Sequence, residues 1–106
     1  MHKNYLGEFE ELIMLTIGVL GDDSYGVSIK DEMEAQTGKK PSIGALHTAL
    51  QRLEKKGLVE SWEGGATNSR GGRKKRFYRL TAAGKESLQS AHEIRNQMFA
   101  LMAKTN

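Results

Sequence analysis

The chain has 106 residues, 38% of them hydrophobic, no cysteine and a formal net charge of +3. That length allows one domain with a modest core, and the absence of cysteine excludes a disulfide framework, thiolate chemistry and Cys-based zinc sites. No apolar run reaches the ~18 residues of a membrane span, and no basic–apolar–small leader opens the chain, so no membrane partner and a cytoplasmic location are expected.

Residues 1–4 are polar. From Leu6 onward a helical pattern sets in, with Phe9, Leu12, Ile13, Thr16, Ile17 and Leu20 on one face. Met14, Leu15 and Val19 make its later turns apolar nearly all round, as in a helix buried on more than one side. Glu8, Glu10 and Glu11 occupy the first turn, where the helix dipole favours anions, and Gly21-Asp22-Asp23 ends it. Ser24 is expected to cap a second helix, with Tyr25, Ile29 and Met33 toward the core and Gly38 at its end. Gly26 costs that helix stability unless something approaches it closely.

Lys39-Lys40-Pro41 turns the chain into a third helix, capped by Ser42 and stopped by Gly57. Leu46, Ala49, Leu50 and Leu53 form its buried stripe. The opposite face carries Gly44, Thr48, Gln51 and Lys55, flanked by His47 and Arg52. These groups can meet base edges and phosphates. Two helices joined by such a turn give a helix-turn-helix.

Leu58 to Trp62 and Lys75 to Leu80 read as the two strands of a hairpin, which makes the unit a winged helix. Gly64, Gly65, Gly71 and Gly72 make the tip between them costly to order. Arg70, Arg73, Lys74, Lys75, Arg76 and Arg79 place six cations in ten residues with no acid among them. Phosphates would neutralise that run, whereas a purely structural hairpin gains nothing from it.

Thr81 caps a last helix reaching about Ala103, with Leu88, Ala91, Ile94, Met98 and Leu101 in one stripe and Phe99 and Met102 beside it. A matching helix of a second chain is the expected partner of that stripe. A pocket for a small hydrophobic effector, lined by Met14, Met98 and Met102, is expected between the first and last helices of the dimer.

The three histidines, His2, His47 and His92, make no ligand or catalytic spacing, and no Gly-rich loop follows a strand and opens a helix. No enzyme, cofactor or metal is therefore expected. The alternative to DNA is an RNA-binding or protein-interaction module. The small and polar third-helix face suits a duplex groove better, and no exposed aromatic platform for single-stranded bases is evident.

Four stretches together resemble the PadR family of bacterial transcriptional regulators. They are Leu6-Gly7-Glu8-Phe9-Glu10-Glu11-Leu12, Ser24-Tyr25-Gly26-Val27-Ser28-Ile29, Ser42-Ile43-Gly44-Ala45-Leu46 running on through Gln51-Arg52-Leu53-Glu54-Lys55-Lys56-Gly57-Leu58-Val59, and Arg73 to Gly84 with its Leu80-Thr81-Ala82-Ala83-Gly84 junction. The resemblance implies a mainly α fold with a small β-hairpin: a winged helix-turn-helix over 1–80 and a C-terminal dimerisation helix over 81–106. It implies a homodimer, most often a repressor, on a pseudo-palindromic operator of double-stranded DNA, with recognition helices roughly 34 Å apart. The implied DNA-binding residues are Tyr25, Ser42, Gly44, Ala45, His47, Thr48, Gln51, Arg52 and Lys55, with Arg70, Arg73, Lys74, Lys75 and Arg76 of the wing. The implied dimer interface is Leu88, Ala91, Ile94, Met98, Leu101 and Met102. The family usually has Tyr where this chain has His47. The single Trp62 lies on the wing, so the mode in which short members hold flat ligands between tryptophans of the last helix is not expected.

Overall fold

The computed structural model describes residues 6–64 and 74–105. In chain order it contains α1 (Glu8–Leu20), a short 3-10 turn (Gly21–Asp23), α2 (Gly26–Thr37), α3 (Ile43–Lys55), β1 (Val59–Gly64), β2 (Lys75–Leu80) and α4 (Ala82–Lys104). This is the expected class, mainly helical with one antiparallel hairpin. The expected wing tip, with Arg70 and Arg73, lies outside the described residues.

Helix periodicity decides the core. Ile13, Met14 and Ile17 of α1, Ile29 and Met33 of α2, and Leu46, Ala49, Leu50 and Leu53 of α3 meet in one cluster. Leu58, Val59 and Tyr78 close it from the wing side. Only one side of α1 is covered in the single chain. Leu15 and Val19 stay exposed, Val19 at 68%.

β1 and β2 pair with Val59 opposite Leu80 and Trp62 opposite Phe77. β1 begins one residue later than the sequence suggests. The Leu58 N–H is already used at the end of α3, donating to the Leu53 carbonyl at 3.0 Å behind Gly57, whose φ is 77°. On the other edge of β2, Tyr25 forms a bridge with Phe77, and the Tyr78 N–H donates to the Ser24 carbonyl at 2.9 Å. A one-residue bridge from the entry to α2 therefore lies along the free edge of the two-stranded wing.

That bridge corrects the expected cap of α2. The N-cap is the extended residue Tyr25, whose N–H donates to Ser28 Oγ at 2.9 Å. Ser24 turns back and donates to the Gly21 carbonyl at 2.8 Å, so it serves the end of α1. Nothing lies within 4 Å of a Cβ built on Gly26, so no close approach offsets that glycine.

The start of α4 is locked to the end of α3. Thr81 Oγ1 donates to the Gly57 carbonyl at 2.7 Å and accepts from the Gly84 N–H at 3.0 Å. The Thr81 N–H donates to the Leu58 carbonyl at 3.1 Å. A Cβ on Gly84 would lie 2.0 Å from that same carbonyl oxygen, so only glycine fits. Leu88 packs on the core, and Arg95 Nη2 reaches Glu11 Oε1 at 2.6 Å. Farther along, α4 runs clear of its own chain. The radius of gyration is 15.8 Å, against about 13 Å for a compact domain of this size.

Candidate nucleic-acid interface

α3 is built to present one face. Ser42 Oγ accepts from the Ala45 N–H at 3.1 Å, which fixes the first turn. Its four apolar residues are buried, and Ser42, Gly44, Ala45, His47, Thr48, Gln51, Arg52 and Lys55 are exposed. Gly44 has open space around it, which leaves room for close approach of a backbone or a base. Ile43, not among the expected site residues, is 45% exposed in the same first turn. Sequence reading would miss it, because its spacing from Leu46, Leu50 and Leu53 continues the apolar stripe into the exposed first turn.

At its far end α3 is held by charge. Lys56 Nζ donates to Glu10 Oε1 of α1 at 2.9 Å, and the Glu10 side chain is largely buried. Lys55 points away from that contact and stays exposed.

The wing sorts its cations by strand face. On the outer face, Tyr25, Phe77 and Trp62 form a row. The Tyr25 and Phe77 rings meet edge-on with centroids 5.6 Å apart, and the Phe77 and Trp62 rings stack with centroids 6.0 Å apart. Lys75 Nζ lies 4.1 Å from the Tyr25 ring centroid, and the Arg79 guanidinium carbon lies 5.2 Å from that of Trp62. Such contacts hold a cation by the negative face of the ring. This aromatic row was not evident from sequence, since its three members are far apart along the chain. Cations already sit on two of its rings, which distinguishes it from an open stacking platform.

Arg79 also reaches Glu60 Oε2 at 2.6 Å, directly across the strand pair. On the inner face Arg76 Nε donates to Ser61 Oγ at 3.1 Å, and Ser61 Oγ donates to Glu54 Oε2 at 2.8 Å. Tyr78 lies buried beside them. Its phenol is pushed above its ordinary pKa first by burial and then by the Glu54 carboxylate, with Arg76 acting the other way. Glu54, Glu60 and Ser61 were not expected at the site. Nothing local in the sequence marks them, because their contacts depend on strand register. Lys74 and Lys75 have no acidic partner among the described residues.

Leu88 and Ala91 are partly covered by their own chain, while Ile94, Met98, Leu101 and Met102 are exposed, Met98 at 65%. Of the residues expected to line an effector pocket, Met98 and Met102 are exposed, whereas Met14 is corrected to a core residue, fully buried among the helices. An open cleft of about 520 Å³ lies beside Leu6, Glu8, Glu11, Leu12, Leu15 and Arg95. Among the described residues no helix is long and apolar enough to cross a membrane.

The sequence profile of the transcriptional regulator PadR-like family matches residues 16–90. An uncharacterized protein of Lysinibacillus sphaericus is 33% identical over 84 residues, covering 77% of this chain and 72% of the relative. Among solved structures, a PadR family transcription regulator of Clostridium difficile superposes with a TM-score of 0.65 at 25% identity, covering 92% of this chain and 93% of the other. A PadR-like transcriptional regulator of Bacillus cereus has the same fold, with a TM-score of 0.73 at 21% identity and coverage of 92% and 89%.

Proposed function

This chain belongs to the PadR-like family of transcriptional regulators, and we propose on that premise that it is a homodimeric repressor of a pseudo-palindromic duplex operator. It acts as a regulator and not as an enzyme. One observation carries the reading: α3 buries its four-residue apolar stripe and leaves a polar face free beside a cationic hairpin. α3 enters the major groove. Gln51 pairs bidentately with an adenine, Thr48 and Ile43 meet thymine methyls, and Gly44 and Ala45 allow close approach. Ser42, Tyr25, His47, Arg52 and Lys55 flank the reading residues, and Lys74 and Lys75 attach the wing to the backbone, with Arg70 and Arg73 extending that charge.

Residues 1–80 form the reading unit, and the 81–106 helix joins two chains. Ile94, Met98, Leu101 and Met102 of α4, with Leu15 and Val19 of α1, supply apolar surface that a second copy would cover. Leu88 and Ala91 continue that seam toward the core. A small hydrophobic effector would enter the cleft beside Leu12 and Leu15. The site of action is the cytoplasm, at the nucleoid when bound.

Selection of bound duplexes from a random DNA pool tests this, followed by titration of the selected duplex, a scrambled duplex and RNA across a salt series. A pseudo-palindrome bound in preference to RNA is expected. Gln51→Ala should cost about 1–3 kcal/mol per half-site and relax one base position, with the salt slope unchanged. Lys75→Ala should weaken all duplexes alike and flatten the slope by about 0.9 for each phosphate left without its lysine. No enrichment from the pool, or identical behaviour of the two variants on both duplexes, refutes the reading.

A further inference from the structure

We propose that Glu54 is a specificity-determining residue: acting through Ser61, it holds the Arg76 guanidinium against α3 and withholds that charge from sequence-independent attachment to phosphates. The proposal rests on the DNA-binding reading above.

The geometry is a three-residue relay. Ser61 Oγ donates to Glu54 Oε2 at 2.8 Å and accepts from Arg76 Nε at 3.1 Å. Strand register produces it. Ser61 stands opposite Tyr78, so Arg76, two residues before Tyr78, shares the face that turns toward α3. Val59 and Tyr78 on that face are buried, which fixes the strands against the helix. Ser61 is half-buried opposite Tyr78, and both hydrogen bonds of the relay lie at the surface.

Glu54 itself is badly placed by ordinary criteria. It lies in the last turn of α3, where the helix dipole disfavours an anion. It also sits on the helix that is to approach phosphates. The relay supplies a reason for it, since Arg76 and Ser61 compensate the carboxylate and the carboxylate restrains Arg76.

The outer face restrains its arginine directly, with Glu60 on Arg79 at 2.6 Å. Of the four described cations in or beside β2, Arg79 pairs directly with Glu60, Arg76 is linked to Glu54 only through Ser61, and neither lysine has an acidic partner among the described residues. A run that looks uniformly phosphate-binding in sequence is therefore divided. The lysines, with Lys75 resting on the Tyr25 ring, carry no anionic restraint and attach, whereas the arginines are held through glutamates. Limiting sequence-independent attachment raises the ratio of operator to background binding, since each phosphate contact strengthens every duplex equally.

Ser61→Ala is the decisive variant, because it cuts the relay without changing any charge. We compare wild type, Ser61→Ala, Glu54→Ala, Arg76→Ala and the doubles Ser61→Ala/Arg76→Ala and Glu54→Ala/Arg76→Ala on the selected operator and a scrambled duplex across salt. Thermal melts of each variant verify folding. Ser61→Ala and Glu54→Ala should each tighten scrambled-duplex binding several-fold at low salt. They should steepen its salt slope by about 0.9 per freed arginine and lower the operator-to-scrambled ratio. Both gains should vanish when Arg76 is also Ala. A folded Ser61→Ala that leaves scrambled binding unchanged overturns the proposal. So does a Glu54→Ala gain that persists without Arg76, which would mean simple repulsion between the carboxylate and DNA. A wild type that binds no duplex overturns the underlying reading, a result distinct from a wild type that binds while the relay variants do nothing.

Discussion

Gly84→Ala is expected to destabilise the protein, against the ordinary helical preference for alanine. Gly84 lies in the first turn of α4, where replacing glycine by alanine would gain at most about 1 kcal/mol. The new Cβ, however, would stand 2.0 Å from the Leu58 carbonyl oxygen and 3.0 Å from its carbon. Both are backbone atoms, so no side chain can swing aside. Relief requires α4 to move more than ~1 Å from the α3–β1 junction, since real Cβ atoms keep roughly van der Waals distance from oxygen. That movement stretches the Thr81 N–H bond to Leu58 and the Thr81 Oγ1 bond to Gly57. Overpacking costs about 1–3 kcal/mol, and each weakened hydrogen bond about 0.5–1.5 kcal/mol. After the propensity gain, a net loss of about 1–5 kcal/mol remains. Urea melts at fixed protein concentration measure it, with a fall in Tm of roughly 5 °C or more as a second readout. A Gly84→Ala protein as stable as wild type, or more so, refutes the requirement for glycine at this close approach.

Three further outcomes are expected. Met98→Glu should leave the fold of the single chain intact, since Met98 is exposed there, yet it should weaken self-association more than ~100-fold by burying an unpaired carboxylate at about 3 kcal/mol or more. Sedimentation checks this, and a wild type already monomeric at micromolar concentration counts against the interface. Stability should fall above about pH 10, because the Tyr78 phenol, held above its ordinary pKa in the folded chain, keeps a proton that the unfolded chain releases. The stabilisation is complete below the unfolded value and is lost as pH rises through the folded one, at up to about 1.4 kcal/mol per pH unit. Melts of wild type and Tyr78→Phe between about pH 8 and 11 test it, and parallel curves would contradict it. Lys56→Ala should cost about 1–3 kcal/mol and Arg95→Ala under about 1 kcal/mol, read by urea melts, with equal losses refuting that ranking.

The sequence made the helices legible wherever one apolar stripe and one cap coincided. Leu46, Ala49, Leu50 and Leu53 behind Ser42 are the clear case, and Thr81 ahead of α4 is another. The cap of α2 was not legible, because Ser24 and Tyr25 are adjacent and a serine can serve either the outgoing or the incoming helix. The bridge to Phe77 decides it by drawing Tyr25 into an extended conformation. The same limit applies to the wing. A run of cations can be counted in sequence, but its acidic partners follow from register, which sets Glu60 opposite Arg79 and brings Ser61 beside Arg76. Met14 shows a third limit. A helix that is apolar nearly all round does not reveal which residues meet its own core, and Met14 does so while Leu15 and Val19 do not.

α1 joins the two ends of the molecule through two neighbouring carboxylates. Glu10 holds Lys56 at the end of α3, and Glu11 holds Arg95 in the middle of α4. The two joints differ in strength for a physical reason. The Lys56 and Glu10 side chains are 28% and 10% exposed, so water screens their attraction poorly and a missing partner leaves a charge largely out of water. Arg95 is 59% exposed although Glu11 is only 13% exposed, so the two pairs differ on the cation side, where solvent and salt reach the arginine and weaken its attraction. The apolar side chains Ile13, Met14 and Ile17 reinforce the first joint, since they pack into the cluster that includes the α3 leucines. The second joint has only Leu88 and its neighbours on the core side before α4 runs clear. The reading helix is therefore fixed to α1 more firmly than the long helix is. Glu10 and Glu11, which the sequence presents as one acidic first turn, divide between these two joints.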